Sequence, residues 1–347
     1  MADCLYPEWH PQDAVQLTWP GPQSDWAPLL ACIEATLETI ALVIARYQPV
    51  MIALPDKPTR QRIEARLENL GIPANRLRLH VAASDDAWAR DHGPIGVARD
   101  GKPVLLDYRF TGWGGKFPAA RDDALSQVLA DQGAFAAPLE TRNLILEGGA
   151  IDTDGQGTLL TTSACLLNSN RNRGLSRGDI EARLEKELGI ERFLWLDHGH
   201  LEGDDTDSHI DTLARFCDPQ TIAYQGCDDE TDSHYAPLAA MQKQLETFRQ
   251  ANGQPYRLIR LPWPQACFDP QDGHRLPATY ANFLIINGAV LMPSYADPAD
   301  RPALSALARA FPDREIIPID CRSVIRQHGS LHCLTMQLPR GSLSQPS

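Results

Sequence analysis

The chain has 347 residues, 43% of them hydrophobic and 22% charged, and 45 acids against 32 bases give a formal net charge of −13. That field repels phosphate backbones and draws in small cations, so nucleic acid is not expected as a partner. No run approaches the roughly eighteen apolar residues of a membrane span, and MADCLYPEWHPQ lacks the basic start and apolar stretch of a secretory signal, so a cytoplasmic protein without membrane contact is expected. The eight cysteines include no C-x-x-C pair, which argues against a zinc ribbon or a thioredoxin-type motif.

Along the chain, WAPLLACIEATLETIALVIARY carries apolar residues at three- and four-residue spacing and predicts a first helix, capped at Ser24 or Asp25 and followed by the strand PVMIAL. RQRIEARLENLG and LRLHVA predict a second helix and strand. PIGVARDGKPVLLDY (94–108) is two apolar runs around Asp100-Gly101, a pair that favours the tight turn of an antiparallel hairpin. The same pattern returns in EGGAIDTDGQGTLLTT (147–162) at Asp154-Gly155, in HIDTLARFCDPQTIAYQ (209–225) near Asp218-Pro219 and in NFLIINGAVLMPSY (282–295) at Asn287-Gly288. A helical pattern and a strand follow each: DDALSQVLADQG then NLILE, RGDIEARLEKELG then RFLWL, SHYAPLAAMQKQLETFRQANG then YRLIRL, and RPALSALARAF then EIIPI. SLHCLTMQL near the C-terminus completes the last unit. Repeated hairpin-helix-strand units predict one closed α/β domain over residues 1–340, with 341–347 as a loose polar tail.

Each polar cluster precedes or opens the first strand of a hairpin: Trp88 to Asp91, Glu147-Gly148-Gly149, His209-Ile210-Asp211, and His332-Cys333 on the final strand. In a ring of similar units equivalent strand ends converge, so these residues are expected to share one small site. His209 and Asp211 are two residues apart and, on a strand, would face the same side. A His beside carboxylates serves acid/base catalysis or a metal, and His198, His200, His209 and Asp211 supply zinc ligand types, although no H-x-x-x-H helix or Cys pair accompanies them. Asp204 and Asp207 read as exposed loop acids. Asp91 and Glu147 read equally well as caps or ion-pair partners, for example of Arg90 or Arg142. Cys333 is either a buried structural thiol or a nucleophile whose thiolate is favoured by His328 and His332. Trp88 and Trp113 are core aromatics or walls for a cationic ligand.

WARDHGP, LEGGAIDTDGQGTLLTTSACLLNSNRN, DDTDSHID and HGSLHC, in this order and spacing, resemble the agmatine deiminase family, which includes bacterial-type peptidylarginine deiminases. The resemblance implies a five-bladed, pseudosymmetric α/β propeller of the pentein type and a cofactor-free, metal-free thiol hydrolase of guanidines. It implies Cys333 as nucleophile, His209 as general acid/base supported by Glu147, and Asp91 and Asp211 as the carboxylates that grip the guanidinium. It places Trp88 along the aliphatic chain of the substrate and Asp205 at the distal amine, one methylene shorter than the glutamate usual there; Trp113 is a further candidate wall. Agmatine is the expected substrate and peptidyl-arginine the alternative; a homo-oligomer is left open. His328, Ser330 and Ser208 stand where the family pattern is glycine-rich, so the channel is expected to be narrowed or re-aimed there.

Overall fold

The computed structural model describes residues 4–344. Among them, five sheets share one plan: an antiparallel pair of strands, and a third strand that returns parallel to the second after a helical connection. Four are the hairpins read from sequence. Ile95–Arg99 pairs with Lys102–Arg109 and then Leu139–Ile145; Ile151–Thr153 with Thr158–Thr162 and then Arg192–Leu196. Ala214–Asp218 pairs with Thr221–Gln225 and then Arg257–Leu261; Leu284–Ile286 with Ala289–Ser294 and then Glu315–Asp320. The fifth sheet joins the two ends of the chain, because Thr335–Pro339 pairs antiparallel with Gln12–Thr18, beside which run Val50–Leu54 and Leu77–Val81.

The turns obey their local chemistry. Asp100 (φ 49°) and Gly101 (φ 72°) both adopt left-handed backbone, as a two-residue hairpin turn requires. The connecting helices stand on the predicted patterns at Ala120–Asp131, Arg177–Leu188, Tyr235–Thr247 and Asp300–Ala310. In Arg177–Leu188 a capping box between Ser176 and Asp179 starts the helix, Ile180, Leu184 and Leu188 form its buried stripe, and left-handed Gly189 ends it.

Several readings are corrected. The first helix begins as a 3-10 turn over Ala27–Leu29 and continues as Leu30–Ala45 without a side-chain cap, because Pro28 sets the entry and the Ser24 hydroxyl turns back to Gly21 O. This stretch, 27–45, is also long and apolar enough by composition to cross a membrane, contrary to the reading of the sequence. Its Glu34 is buried, accepts from Trp19 Nε1 and pairs with Arg62 and Arg66, and its apolar face packs in the largest core cluster, so the helix is used as a core element. Of the stretch expected to be a loose tail, Ser342 is buried, its carbonyl accepts from Ala136 N, and Leu343 N donates to Asp13; residues 345–347 lie outside the described residues.

A candidate guanidine site where five strand entrances meet

The functional clusters do not lie on strands. Asp91 sits in the short helix Ala89–His92, Glu147 just before the 3-10 turn Gly148–Ala150, Asp211 in the turn Ile210–Thr212 and Cys333 in the turn His332–Leu334. Each turn leads into the first strand of a sheet: Ile95–Arg99, Ile151–Thr153, Ala214–Asp218 and Thr335–Pro339. The expectation of a strand face at His209 and Asp211, and of Cys333 on a strand, is therefore corrected. Hydroxyls take the backbone groups a ladder would have used: Thr206 Oγ1 accepts from His209 N, Thr212 Oγ1 donates to His209 O, and Thr335 Oγ1 donates to His332 O.

The turns nevertheless converge. A Cβ on Gly149 would stand 2.6 Å from His209 Nδ1, 2.8 Å from Asp91 Oδ1 and 3.2 Å from Asp211 Oδ2, so one glycine touches all three groups and any side chain there would displace them. Cys333 Sγ lies 3.8 Å from Asp211 Oδ2 and 3.4 Å from Asn282 Oδ1. Asp91 accepts from Trp113 Nε1 at 2.9 Å and Gly149 N at 3.0 Å, and its Oδ1 is 3.6 Å from His209 Nδ1. Glu147 accepts from Arg171 Nε at 2.9 Å. Cys333 is 3% exposed and Asp91 3%; His209, Asp211 and Glu147 are fully buried. Asp211 Oδ1, Glu147 Oε2 and both ring nitrogens of His209 have no hydrogen-bond partner, which is costly unless a polar ligand completes them.

The electrostatics are asymmetric. Burial, then the charge of Asp211, pushes the Asp91 carboxyl well above the usual carboxylate range. Burial also works against the charge of Asp211, but the hydrogen bond and charge of His332 outweigh it and hold this carboxyl low. Burial brings His209 down to about 3 against the opposing pull of Asp211, so it rests neutral. Burial and then the charges of Asp211 and Asp91 push the Cys333 thiol well up. A thiolate favoured by His328 and His332 is thus corrected: His332 spends its ring on carboxylates, and Cys333 rests as a thiol.

The surrounding wall is built by residues the sequence left as loop. Asp207 pairs with Lys116 and Arg171, and Asp204 accepts from Thr206 and Ser208, so both acids brace the segment that carries His209. Lys116 Nζ also donates to Asp205 O at 2.5 Å. Asp205 is half-buried, and burial raises its carboxyl to about 6 against the pull of His328. Trp88 is buried, tilted against Trp26 with ring centroids 5.5 Å apart, and a Cβ on Gly329 would come within 2.4 Å of its ring. Trp113 is the hydrogen-bond donor to Asp91, packed edge-on between Phe110 and Phe117. Arg90 and Arg142 do not hold Asp91 or Glu147; Arg90 pairs with Glu8, and Arg142 with Glu140 and Glu187. Ser208 (φ 66°) and His328 (φ 69°) are left-handed, so each occupies a backbone suited to glycine; Ser330 lacks this geometry and pairs its hydroxyl with Tyr295.

Three contributors were missed. Asn282 stands just before Leu284–Ile286, the first strand of the fourth hairpin, and accepts from His332 N, Cys333 N and Cys333 Sγ while its amide donates to Asp211 O. Its position at the start of the fourth predicted hairpin was the available signal. Glu8 and Arg215 form a buried network under the site: Glu8 Oε2 meets His332 Nε2 at 2.6 Å, Arg215 Nη2 at 3.0 Å and Arg90 Nη2 at 3.2 Å. The zinc set drawn from His198, His200, His209 and Asp211 does not assemble; among the described residues, the groups gathered with His209 at metal-ligand distances are Glu147 and Cys165, within 4.8 Å. His200 instead packs its ring near His234.

The model of the Porphyromonas-type peptidyl-arginine deiminase family matches residues 4–339. The chain belongs to that family. It is 35% identical to the agmatine deiminase of Pseudomonas putida, across 96% of this chain and 94% of that protein. A Porphyromonas gingivalis structure, named as a candidate arginine deiminase, superposes with a TM-score of 0.91 at 48% identity, covering 99% of this chain and all of the other. The agmatine deiminase of C. jejuni with substrate bound gives 0.91 at 36% identity, over 99% and 97% of the two chains. These family members are α/β proteins like this one, and they place the chain among enzymes that cleave a guanidine C–N bond.

Proposed function

We propose that the protein hydrolyses the guanidinium of agmatine, giving N-carbamoylputrescine and ammonia through a covalent thiouronium on Cys333. The observation that carries this reading is the placement of Cys333 Sγ 3.8 Å from an ionised carboxylate whose other oxygen, Asp211 Oδ1, is buried without a partner. A planar cation satisfies that oxygen and the Asp91 carboxyl together and presents its central carbon to sulfur. Agmatine deiminase relatives support the substrate, and Asp205 supports a distal ammonium.

In the first step the thiol proton of Cys333 passes to neutral His209 as sulfur attacks the guanidinium carbon. His209 then hands that proton to the departing nitrogen, the C–N bond breaks, and ammonia leaves a thiouronium that keeps the positive charge. Neutral His209 next takes a proton from water, whose oxygen attacks the same carbon; the C–S bond breaks as sulfur takes that proton back from His209 to restore the thiol, the remaining hydroxyl proton passes to the released ammonia, and the urea-type product leaves as a neutral carbonyl compound. The bound cation offsets the carboxylate charges that hold the thiol up, so the substrate itself lowers the cost of forming thiolate. His209 as a resting imidazolium is not needed.

The same reading takes residues 4–344 as one catalytic unit arranged as five blades about the site, supported by five similar sheets whose entrances each supply a site residue. Eight free cysteines support a reducing, cytoplasmic setting. The near-complete burial of Cys333 and the bridge of Lys116 to the Asp205–Asp207 segment favour a small substrate over peptidyl-arginine. Ammonia release from agmatine, free arginine and a blocked arginyl peptide tests the choice: agmatine is expected to turn over fastest, and release from the peptide alone would reject it.

A further inference from the structure

The geometry points to His332 as a positioning residue that, clamped as an imidazolium between Glu8 and Asp211, holds Asp211 ionised and aimed at the substrate. The inference rests on the guanidine-hydrolase reading for its catalytic consequence, but its structural core stands on geometry.

His332 Nδ1 lies 2.7 Å from Asp211 Oδ2 and Nε2 lies 2.6 Å from Glu8 Oε2, with all three side chains buried. Ionised carboxylates only accept, and a neutral imidazole has one N–H, so with both acids ionised the pairing of both nitrogens requires the doubly protonated ring. Burial opposes the Glu8 charge, yet Arg215, His332 and Arg90 hold this carboxyl far below its usual range, so it remains an anion able to bind the ring. The ring cannot slide, since its own backbone N–H is fixed on Asn282 Oδ1 at 2.8 Å. By occupying Asp211 Oδ2, it leaves the buried Oδ1 as the oxygen without a protein partner and separates the two neighbouring acids: Asp211 has a cation, while Asp91 has only neutral donors. The other charged and titratable groups facing the column are Arg90, Arg215 and Arg314 around Glu8, Asp91, Asp204 and His209 around Asp211, and Asp152, paired with Arg215 Nε at 3.0 Å. Glu8 thus links the N-terminal segment to a carboxylate 203 positions later, and nothing in the catalytic steps themselves calls for it.

Two variants and one spectrum test this. In His332→Gln, kcat/KM for agmatine is expected to fall at least about tenfold, with KM rising and the acid limb of the pH profile moving to higher pH, because Asp211 loses the cation that keeps it ionised. Glu8→Gln is expected to move both in the same direction by less, and the double variant to be no worse than His332→Gln alone, as for residues that act as one unit. A purely structural role predicts lower thermal stability with KM and the acid limb unmoved in the folded fraction, and that result would overturn the proposal. Should His332→Gln not fold, nitrogen NMR of imidazole-labelled wild-type protein in neutral buffer decides: one histidine is expected to carry protons on both ring nitrogens, and to lose one in Glu8→Gln. A spectrum with every ring neutral there would also overturn it. Wild-type protein that shows the charged ring but releases no ammonia from any guanidine would reject the hydrolase reading and leave the clamp standing.

Discussion

Asp91 and Asp211 reach the same point beside Gly149, within 2.8 and 3.2 Å of where its Cβ would be, yet their surroundings push their carboxyls in opposite directions. Asp211 carries a cationic partner and ionises readily; Asp91 faces only an indole and a backbone N–H and is held up by burial and by its neighbour. Two acids whose surroundings drive them apart avoid the repulsion of two close buried charges until a cation arrives to be shared.

Asp91→Asn removes the charge the guanidinium calls out while leaving the Trp113 and Gly149 donors near an amide oxygen. We expect kcat/KM for agmatine to fall ten- to hundred-fold, about 1.5 to 3 kcal/mol, with thermal stability little changed. Steady-state kinetics beside a melting curve check it; a near-normal enzyme would return Asp91 to a structural role.

Gly149→Ala adds a methyl group that collides with His209 Nδ1 and Asp91 Oδ1. Turnover is expected to drop more than a hundred-fold while circular dichroism stays native, since the collision falls on reacting groups misplaced by about an ångström.

Acidity should also act on the distal end. Asp205 has a carboxyl raised to about 6, so it is ionised at neutral pH and becomes protonated as the pH falls through that value. KM for agmatine is expected to rise by up to about tenfold per pH unit below 6. Asp205→Asn, or a guanidine with an uncharged tail, should remove that component of the slope. A slope identical in all three cases would detach Asp205 from the amine.

The backbone carries strain where glycine is absent. Left-handed backbone costs an L-residue about 1–2 kcal/mol, and Ser208 adopts it with its N–H on Asp204 and its carbonyl on Thr162. Ser208→Gly is expected to leave kcat unchanged and to alter stability by less than about 1 kcal/mol, the relief being offset by the freer unfolded chain. Loss of activity on this change would show that the hydroxyl itself matters.

The hairpins were legible because Asp100-Gly101, Asp154-Gly155 and Asn287-Gly288 are local signals, each sufficient for a turn within its own few residues. The helices were legible from the spacing of residues such as Ile180, Leu184 and Leu188. What local pattern does not carry is a side chain's partner across the chain. Glu8 lies in YPEWHPQ, with no periodicity and no second acid beside it, and only the pairing of Thr335–Pro339 with Gln12–Thr18 brings it beneath His332. Arg215 lies on a strand with no local sign of its partners, and it is fully buried among Glu8, Asp152 and the Phe283 carbonyl. His209, Asp211 and Cys333 were read as lying on strands because the apolar run after each hides the few turn residues that precede the strand.

The most direct measurement is the intact mass of enzyme quenched in acid during turnover of agmatine, followed by peptide mapping. The account expects a fraction of the protein to gain the mass of agmatine less ammonia, on Cys333, and that gain to vanish in Cys333→Ala. An adduct on Cys165, a buried thiol beside His209 and Glu147, or full turnover with no sulfur adduct at any quench time, would contradict it.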